Sequence, residues 1–276
     1  MAWRGAAGAI AQYGLMVLCV IVIFAPLLWM VGASLKTRQE IYSLPISWLP
    51  SSLHWENYRQ AWTAVPFERY FFNSLVTTIL GSALKVTNGV LTAYALVFLR
   101  FPRKDLVFLA ILAALMVPEQ VVLIPNYVLV SELNWVNTYQ GIIIPGGGVA
   151  FGTFLMRQHF LTLPKEVIEA ARIDGAGHLR MLWTIVLPMS RPTLITFTLI
   201  TVVAKWNEYV WPLLVATDDK VRTLPLGLTQ LQNSEGQTQW GVVMAGAVFV
   251  IVPILALFVW SQRHVVEGLT AGSVKG

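Results

Sequence analysis

The 276-residue sequence predicts an all-α integral membrane protein with six transmembrane helices. Hydrophobic residues make up 56% of it and charged residues only 12%, against roughly a quarter charged in a soluble domain. Six apolar stretches each reach the about 20 residues that cross a bilayer as a helix. The net charge of +5 is scattered between those stretches without a basic face, so it argues for membrane topology and against a nucleic-acid partner.

The stretches make the chain, 1–276, read as one transmembrane domain. The first covers about 12–34, inside a run from Gly5 to Leu35 without charge. It is too long for a signal-peptide core and only Arg4 precedes it, so a retained helix is expected. The second covers about 70–99 and the third about 106–130. Pro118, Glu119 and Gln120, then Pro125 and Asn126, interrupt the third, and such breaks survive at membrane depth only where protein or cavity water satisfies the freed backbone. The fourth covers about 134–157 and carries Pro145, Gly146, Gly147 and Gly148. No Gly-Lys-Ser or Gly-Lys-Thr follows, which excludes a phosphate loop. Gly148 and Gly152 instead have the spacing that lets a neighbouring helix approach closely. The fifth covers about 192–216 and the sixth about 238–262. Stretches longer than the bilayer is thick permit tilt.

Positive charge sets orientation. With the N-terminus in the cytoplasm, Arg4, Arg100, Arg103, Lys104, Arg157, Lys165, Arg172, Arg180, Arg191, Arg263 and Lys275 fall inside, and only Lys36, Arg38, Arg59, Arg69, Lys220 and Arg222 outside. Both termini are therefore expected in the cytoplasm. The outer loop from Lys36 to Arg69 holds Trp55, Tyr58 and Trp62 on one helical face. That face suits a short helix in the headgroup layer, and a contact for an external binding protein is compatible with it.

Four ionisable residues lie inside the stretches: Lys85, Glu119, Lys205 and Glu208. Such groups are expensive in a membrane and face the bundle interior or a water-filled cavity. Lys205 and Glu208 stand one helical turn apart, and Lys85 can meet Glu119 across helices, so structural pairing competes with a role in transport. Lys205, Trp206, Asn207, Glu208 and Tyr209 mix hydrogen-bonding groups with aromatic faces, which suits polyols and sugars. With Asn88, Glu119, Gln120 and Asn126 they form the candidate translocation path. No Walker A pattern, HExxH or nucleophile elbow is present. His54, His159, His178 and His264 are dispersed, and the lone Cys19 lies in the first stretch. The polypeptide is therefore expected to be non-catalytic, with no metal site or cofactor of its own.

The stretch Glu169 to Pro188, EAARIDGAGHLRMLWTIVLP, is polar and lies between the fourth and fifth spans. Pro164 suits a first helical position and Glu166 the first turn. Ala170 and Ala171 let another surface approach the backbone, and Gly175 should stop the short helix in the left-handed conformation. Leu179, Leu182, Trp183 and Val186 then form an amphipathic stripe, which Pro188 ends.

These residues carry a resemblance. The pattern E-A-A, three residues, G, nine residues, I, one residue, L-P is matched by Glu169, Ala170, Ala171, Gly175, Ile185, Leu187 and Pro188. It is the signature of permeases of binding-protein-dependent ABC importers, and the loop, about 163–190, resembles their EAA coupling-helix loop. Phe101-Pro102, RQHFLTLP (157–164), WNEYVWPLL (206–214) and GLTAGSVKG (268–276) resemble the carbohydrate-uptake group. TFLMRQHFLTLPKEVIEAARIDGA and EGQTQWGVVMA look most like permeases for glycerol-3-phosphate and glycerophosphodiesters such as glycerophosphocholine.

The resemblance implies a second homologous permease subunit, two ATP-binding subunits that use ATP and Mg and dock on the loop, and an extracytoplasmic substrate-binding protein, all at a bacterial inner membrane. In the loop it implies coupling roles for Glu169, Ala170, Ala171, Asp174, Gly175, Leu179, Leu182, Ile185, Leu187 and Pro188. The same architecture importing a sugar or oligosaccharide is an alternative. The intramembrane charges also allow another class, a channel or secondary transporter without an ATPase.

Overall fold

The computed structural model describes residues 2–148, 150–233 and 238–270, and side chains over 12–148, 150–232 and 238–262. Parts of the EGQTQWGVVMA and GLTAGSVKG stretches thus lie outside the described residues. Among the described residues every regular element is helical. In order they are α1 (Ala2–Ser34), α2 (Arg38–Ile41), α3 (Glu56–Thr63), α4 (Phe67–Phe98), α5 (Lys104–Ala114), α6 (Glu119–Glu132), α7 (Tyr139–Ile143), a 3-10 turn (Pro145–Gly147), α8 (Ala150–Phe160), α9 (Lys165–Ile173), α10 (His178–Met181), a π turn (Leu182–Val186), α11 (Leu187–Met189), α12 (Arg191–Trp206), α13 (Val210–Val215), α14 (Leu224–Asn233) and α15 (Trp240–Thr270).

Three helical segments are long and apolar enough to cross a membrane: Gln12–Ser34, Phe67–Phe98 and Trp240–Gln262. They coincide to within a few residues with the first, second and sixth expected stretches. Three bent pairs bring the number to six if each is one span: α5 with α6 at 95°, α7 and its 3-10 turn with α8 at 47°, and α10–α11 with α12 at 86°.

The middle stretches depart from the sequence expectation for local reasons. In the third, the break falls over 115–118. Glu119 opens α6, where its carboxylate suits the helix N-terminus, and Pro125 stays inside α6, at the cost of one backbone hydrogen bond. In the fourth, Asn134 and Asn137 adopt positive φ (56° and 58°). Helix begins only after Thr138, whose Oγ1 accepts from the Gly141 amide at 3.2 Å, and the stretch runs on to Phe160. The fifth is not continuous: α12 ends at Trp206, because Pro212 has no N–H and its ring would clash with the Glu208 carbonyl in an unbroken helix.

The chain folds as two compact units: residues up to 68 with 227–253, and 69–226 with the residues from 254 on. In the first unit Ala61, Leu231, Val242, Val243 and Ala245 form the buried core. Of the face Trp55, Tyr58 and Trp62, the two tryptophans are exposed and Tyr58 is half-buried. Tyr58 and Trp62 pack edge-on against Phe249, with centroids at 5.5 and 5.4 Å, because an aromatic face turned to another ring gains contact beyond simple burial.

In the second unit one core joins α4, α8, the α9–α11 segment and α12 through Val90, Tyr94, Met156, Phe160, Ile168, Met181, Leu182, Val186 and Phe197. A Cβ on Gly152 would meet the Phe197 ring at 2.0 Å, whereas one on Gly148 would meet nothing. Close helix approach therefore rests on Gly152 alone of the expected pair. A second core, with Val130, Ile142, Trp211, Val215, Val221 and Leu226, sits at the opposite ends of the broken stretches.

Candidate functional site

Two breaks meet at the first candidate site. Pro145 has no N–H, so the Gly141 carbonyl four residues earlier loses its helical partner. The Trp211 indole N–H donates to it at 3.1 Å. The neighbouring Ile142 carbonyl accepts from Lys205 Nζ at 3.1 Å. The freed end of α7 is thus closed by a cation and an indole from the break after α12, as membrane-depth irregularities require. Lys205 also pairs with Glu208 at 2.5 Å, and the two side chains are 1% and 18% exposed.

Glycines make room for this lysine. A Cβ on Gly81 would sit 2.7 Å from Lys205 Cε, and one on Gly146 would sit 3.3 Å from Lys205 Nζ and 4.0 Å from Glu208 Oε1 and Lys85 Cε. From the sequence alone Gly146 reads as part of a packing run. Its role beside the charges depends on a neighbour about 60 positions away, which no local pattern signals.

A cleft of about 280 Å³ opens beside the pair, lined by Lys85, Glu119, Gln120, Leu123, Ala204, Lys205, Glu208, Tyr209, Val210 and Trp211. Five expected path residues, Glu119, Gln120, Lys205, Glu208 and Tyr209, come together here. The others do not line it. Asn88 donates to the Gly147 carbonyl at 3.5 Å. Asn126 lies a turn and a half further along α6, and Trp206 is buried edge-on to Phe71 at 5.8 Å. Asn207 donates back to the Val203 carbonyl at 2.8 Å, finishing α12. Lys85 and Glu119 share the cleft, yet among the described residues no ion pair joins them.

The second candidate site is the turn between α9 and α10. Gly175 has φ +74°. Its amide donates to the Arg172 carbonyl at 3.1 Å and that of Ala176 to the Ala171 carbonyl at 2.9 Å, the paired bonds of a Schellman cap. Ile168 and Ala171 face the core, while Glu169, Ala170, Ile173 and Asp174 are exposed. Only Ala170 of the two alanines therefore lies on the outer surface.

The expected stripe is split. Leu179 and Trp183 are 71% and 67% exposed, whereas Leu182, Val186 and Leu187 are buried and Ile185 half-buried. Leu179 and Trp183 form one i, i+4 pair and Leu182 and Val186 the adjacent one, and a π turn over Leu182–Val186 interrupts the regular winding. Helix also continues one residue beyond Pro188, to Met189, and ends at Ser190. Two further contacts tie the segment to α4: Tyr94 Oη bonds His178 Nδ1 at 3.1 Å, and Arg172 donates to the Phe98 carbonyl at 3.3 Å. Neither Tyr94 nor Phe98 stood out in the sequence.

Residues 85–270 match the family model described as the inner membrane component of binding-protein-dependent transport systems. The chain belongs to this family. The sn-glycerol-3-phosphate transport system permease protein UgpE of Yersinia enterocolitica is 37% identical over 263 residues, covering 92% of this chain and 93% of the relative. UgpE of Pectobacterium atrosepticum is 34% identical, with 94% and 95% covered. UgpE of Brucella suis is 36% identical, with 92% and 93% covered.

The permease also shares its fold with a chain of a bacterial ABC transporter involved in the import of the acidic polysaccharide alginate. The TM-score is 0.84 at 22% identity, with 94% of this chain and 96% of the other covered. A chain of the alginate transporter in complex with a pentasaccharide-bound periplasmic protein matches with TM-score 0.69 at 15% identity, with 95% and 98% covered. The protein is thus a non-catalytic permease component of an ABC importer.

Proposed function

We propose that the whole chain, as one transmembrane domain, forms half of the translocation path for glycerol-3-phosphate or a glycerophosphodiester such as glycerophosphocholine. A second homologous permease supplies the other half. Two ATP-binding subunits dock on the 163–190 loop, an external substrate-binding protein delivers the cargo, and both termini lie in the cytoplasm. The names of the relatives support the substrate class.

The observation that carries the reading is the charged cleft at the broken stretches. Lys205 and Glu208 neutralise each other, which leaves Lys85 as the cation for a phosphate ester and Glu119 as the carboxylate for a cationic head group. Charge-assisted hydrogen bonds of this kind are the strong ones. Tyr209 and Gln120 add groups for glycerol hydroxyls.

Coupling follows from the two faces of the docking turn. Glu169, Ala170, Ile173, Asp174, Leu179 and Trp183 offer an outer face to an ATP-binding subunit. Ile168, Met181, Leu182, Val186 and Leu187 share a core with α4, α8 and α12, so displacement of the turn moves packed helices. A close-packed core transmits such a push because it has little free volume to absorb it. Gly175 is the bend in this lever.

The test is uptake by the reconstituted transporter, together with titration of its binding protein by glycerol-3-phosphate, glycerophosphocholine and a disaccharide. Phosphate-ester uptake that needs ATP is expected, and Lys85→Gln should weaken it by about 10- to 100-fold, the worth of one charged contact. Binding and uptake of the disaccharide alone would reassign the substrate to sugars. Flux through this chain without any ATP-binding subunit would make it a channel.

A further inference from the structure

The transport reading leaves residues 41–55 unused. This run has no Asp, Glu, Lys or Arg, yet Leu44, Ile46, Trp48, Leu49 and Leu53 are all exposed, Leu44 by 87% and Leu49 by 81%. Clustered exposed apolar side chains mark an interaction surface.

The loop is fastened to the end of the first span at several points. The Lys36 ammonium, fully buried, donates to the Ser47 carbonyl and lies 4.4 Å from the Trp29 ring centroid. Trp48 packs edge-on to Trp29 at 5.6 Å, and a Cβ on Gly32 would meet the Trp48 carbonyl at 2.9 Å. The His54 amide donates to the Leu35 carbonyl at 3.0 Å. Of the two acids that flank the run, Glu40 has its oxygens taken by Thr37 and Ser51, and Glu56 pairs with Arg59.

These contacts fix the depth of the loop. The apolar segment Gln12–Ser34 is long and apolar enough to cross the hydrocarbon core, and residues 29–36 hold the loop within about one or two helical turns, roughly 5–10 Å, of its C-terminal end. Headgroups and the upper acyl chains occupy this zone, which favours Trp and aliphatic side chains. We infer that residues 41–55 lie in the headgroup and upper acyl layer at the C-terminal end of the first span, as a lipid-seated collar continuous with the exposed apolar surface of α1.

Cys19 is the one cysteine of the chain, so single nitroxide labels can be introduced in a Cys19→Ser background. The assembled transporter would carry Leu44→Cys or Leu49→Cys in vesicles of phosphatidylethanolamine and phosphatidylglycerol, with Leu18→Cys as the label in lipid. Power saturation compares collisions with oxygen, which concentrates in lipid, and with a water-soluble nickel complex. Oxygen collisions exceeding nickel collisions at both loop positions, as at Leu18, are expected. Nickel collisions as frequent as for a label free in water would overturn the inference. So would loop labels that are water-accessible until the substrate-binding protein is added. Two positions keep the test decisive if one variant fails to assemble.

Discussion

Replacing Lys205 by Met removes one nitrogen that serves two partners, the Glu208 carboxylate at 2.5 Å and the Ile142 carbonyl at 3.1 Å. Both side chains of the pair are well under a third exposed, so interior energies apply. Removing one partner of a buried ion pair costs about 3–5 kcal/mol, because the other charge stays behind unpaired. A lone hydrogen bond between membrane helices averages only about 0.6 kcal/mol, so the stranded carboxylate, not the carbonyl, sets the loss. Lys205→Met/Glu208→Gln should therefore recover most of it and end within about 1–2 kcal/mol of the native protein. Reversible unfolding of the purified permease in mixed micelles, run as a double-mutant cycle, measures both numbers. A single Lys205→Met variant as stable as the native protein, or a double variant no better than the single, would refute the buried pair as the closure between the two breaks.

Four further outcomes follow from the geometry. Gly152→Ala puts a methyl group into the Phe197 ring and should cost about 1–3 kcal/mol; Phe197→Leu in the same chain should restore part of it, read by the same unfolding assay. Gly175→Val has open space around it but a φ of +74°, so the strain of about 1–2 kcal/mol should reduce ATP-dependent uptake while membrane insertion, measured by fractionation, is unchanged. Trp183→Ala removes an exposed ring and should alter stability by no more than about 0.5 kcal/mol, while lowering the yield of co-purified ATP-binding subunit.

The fourth concerns pH. Hydrogen bonds from the Ser51 hydroxyl and the Thr37 amide hold the Glu40 carboxyl down to about 2, from an ordinary 4.5. The folded value is depressed, so the contribution of Glu40 to loop order is complete above about pH 4.5 and is lost as pH falls through about 2. Protection of the Ser51 amide, which donates to Glu40, relative to its intrinsic exchange rate should fall only in that window, and Glu40→Gln should abolish the pH step.

The membrane character, the approximate helical stretches and the motif between the fourth and fifth were legible in the sequence, because each depends on residues close together in the chain. Apolar length reports burial in lipid, and Gly175 reports a turn that only a residue without Cβ enters cheaply. Pro118 likewise marks the break in the third stretch within a few residues, whereas the Pro145-Gly run reads from sequence as packing and its break emerges only in the structure.

What only the tertiary structure decided are the meetings across distance. Lys205 reaches Ile142 over 63 positions and Trp211 reaches Gly141 over 70, so the closure of the freed α7 end and the separation of Lys85 from Glu119 depend on how the breaks come together. Leu179 and Trp183 stand outward beside the buried Leu182 and Val186, and Tyr58 and Trp62 meet Phe249. Periodicity assigns side chains to faces of one helix. Which face is covered, and by what, is set by long-range packing that no single stretch encodes.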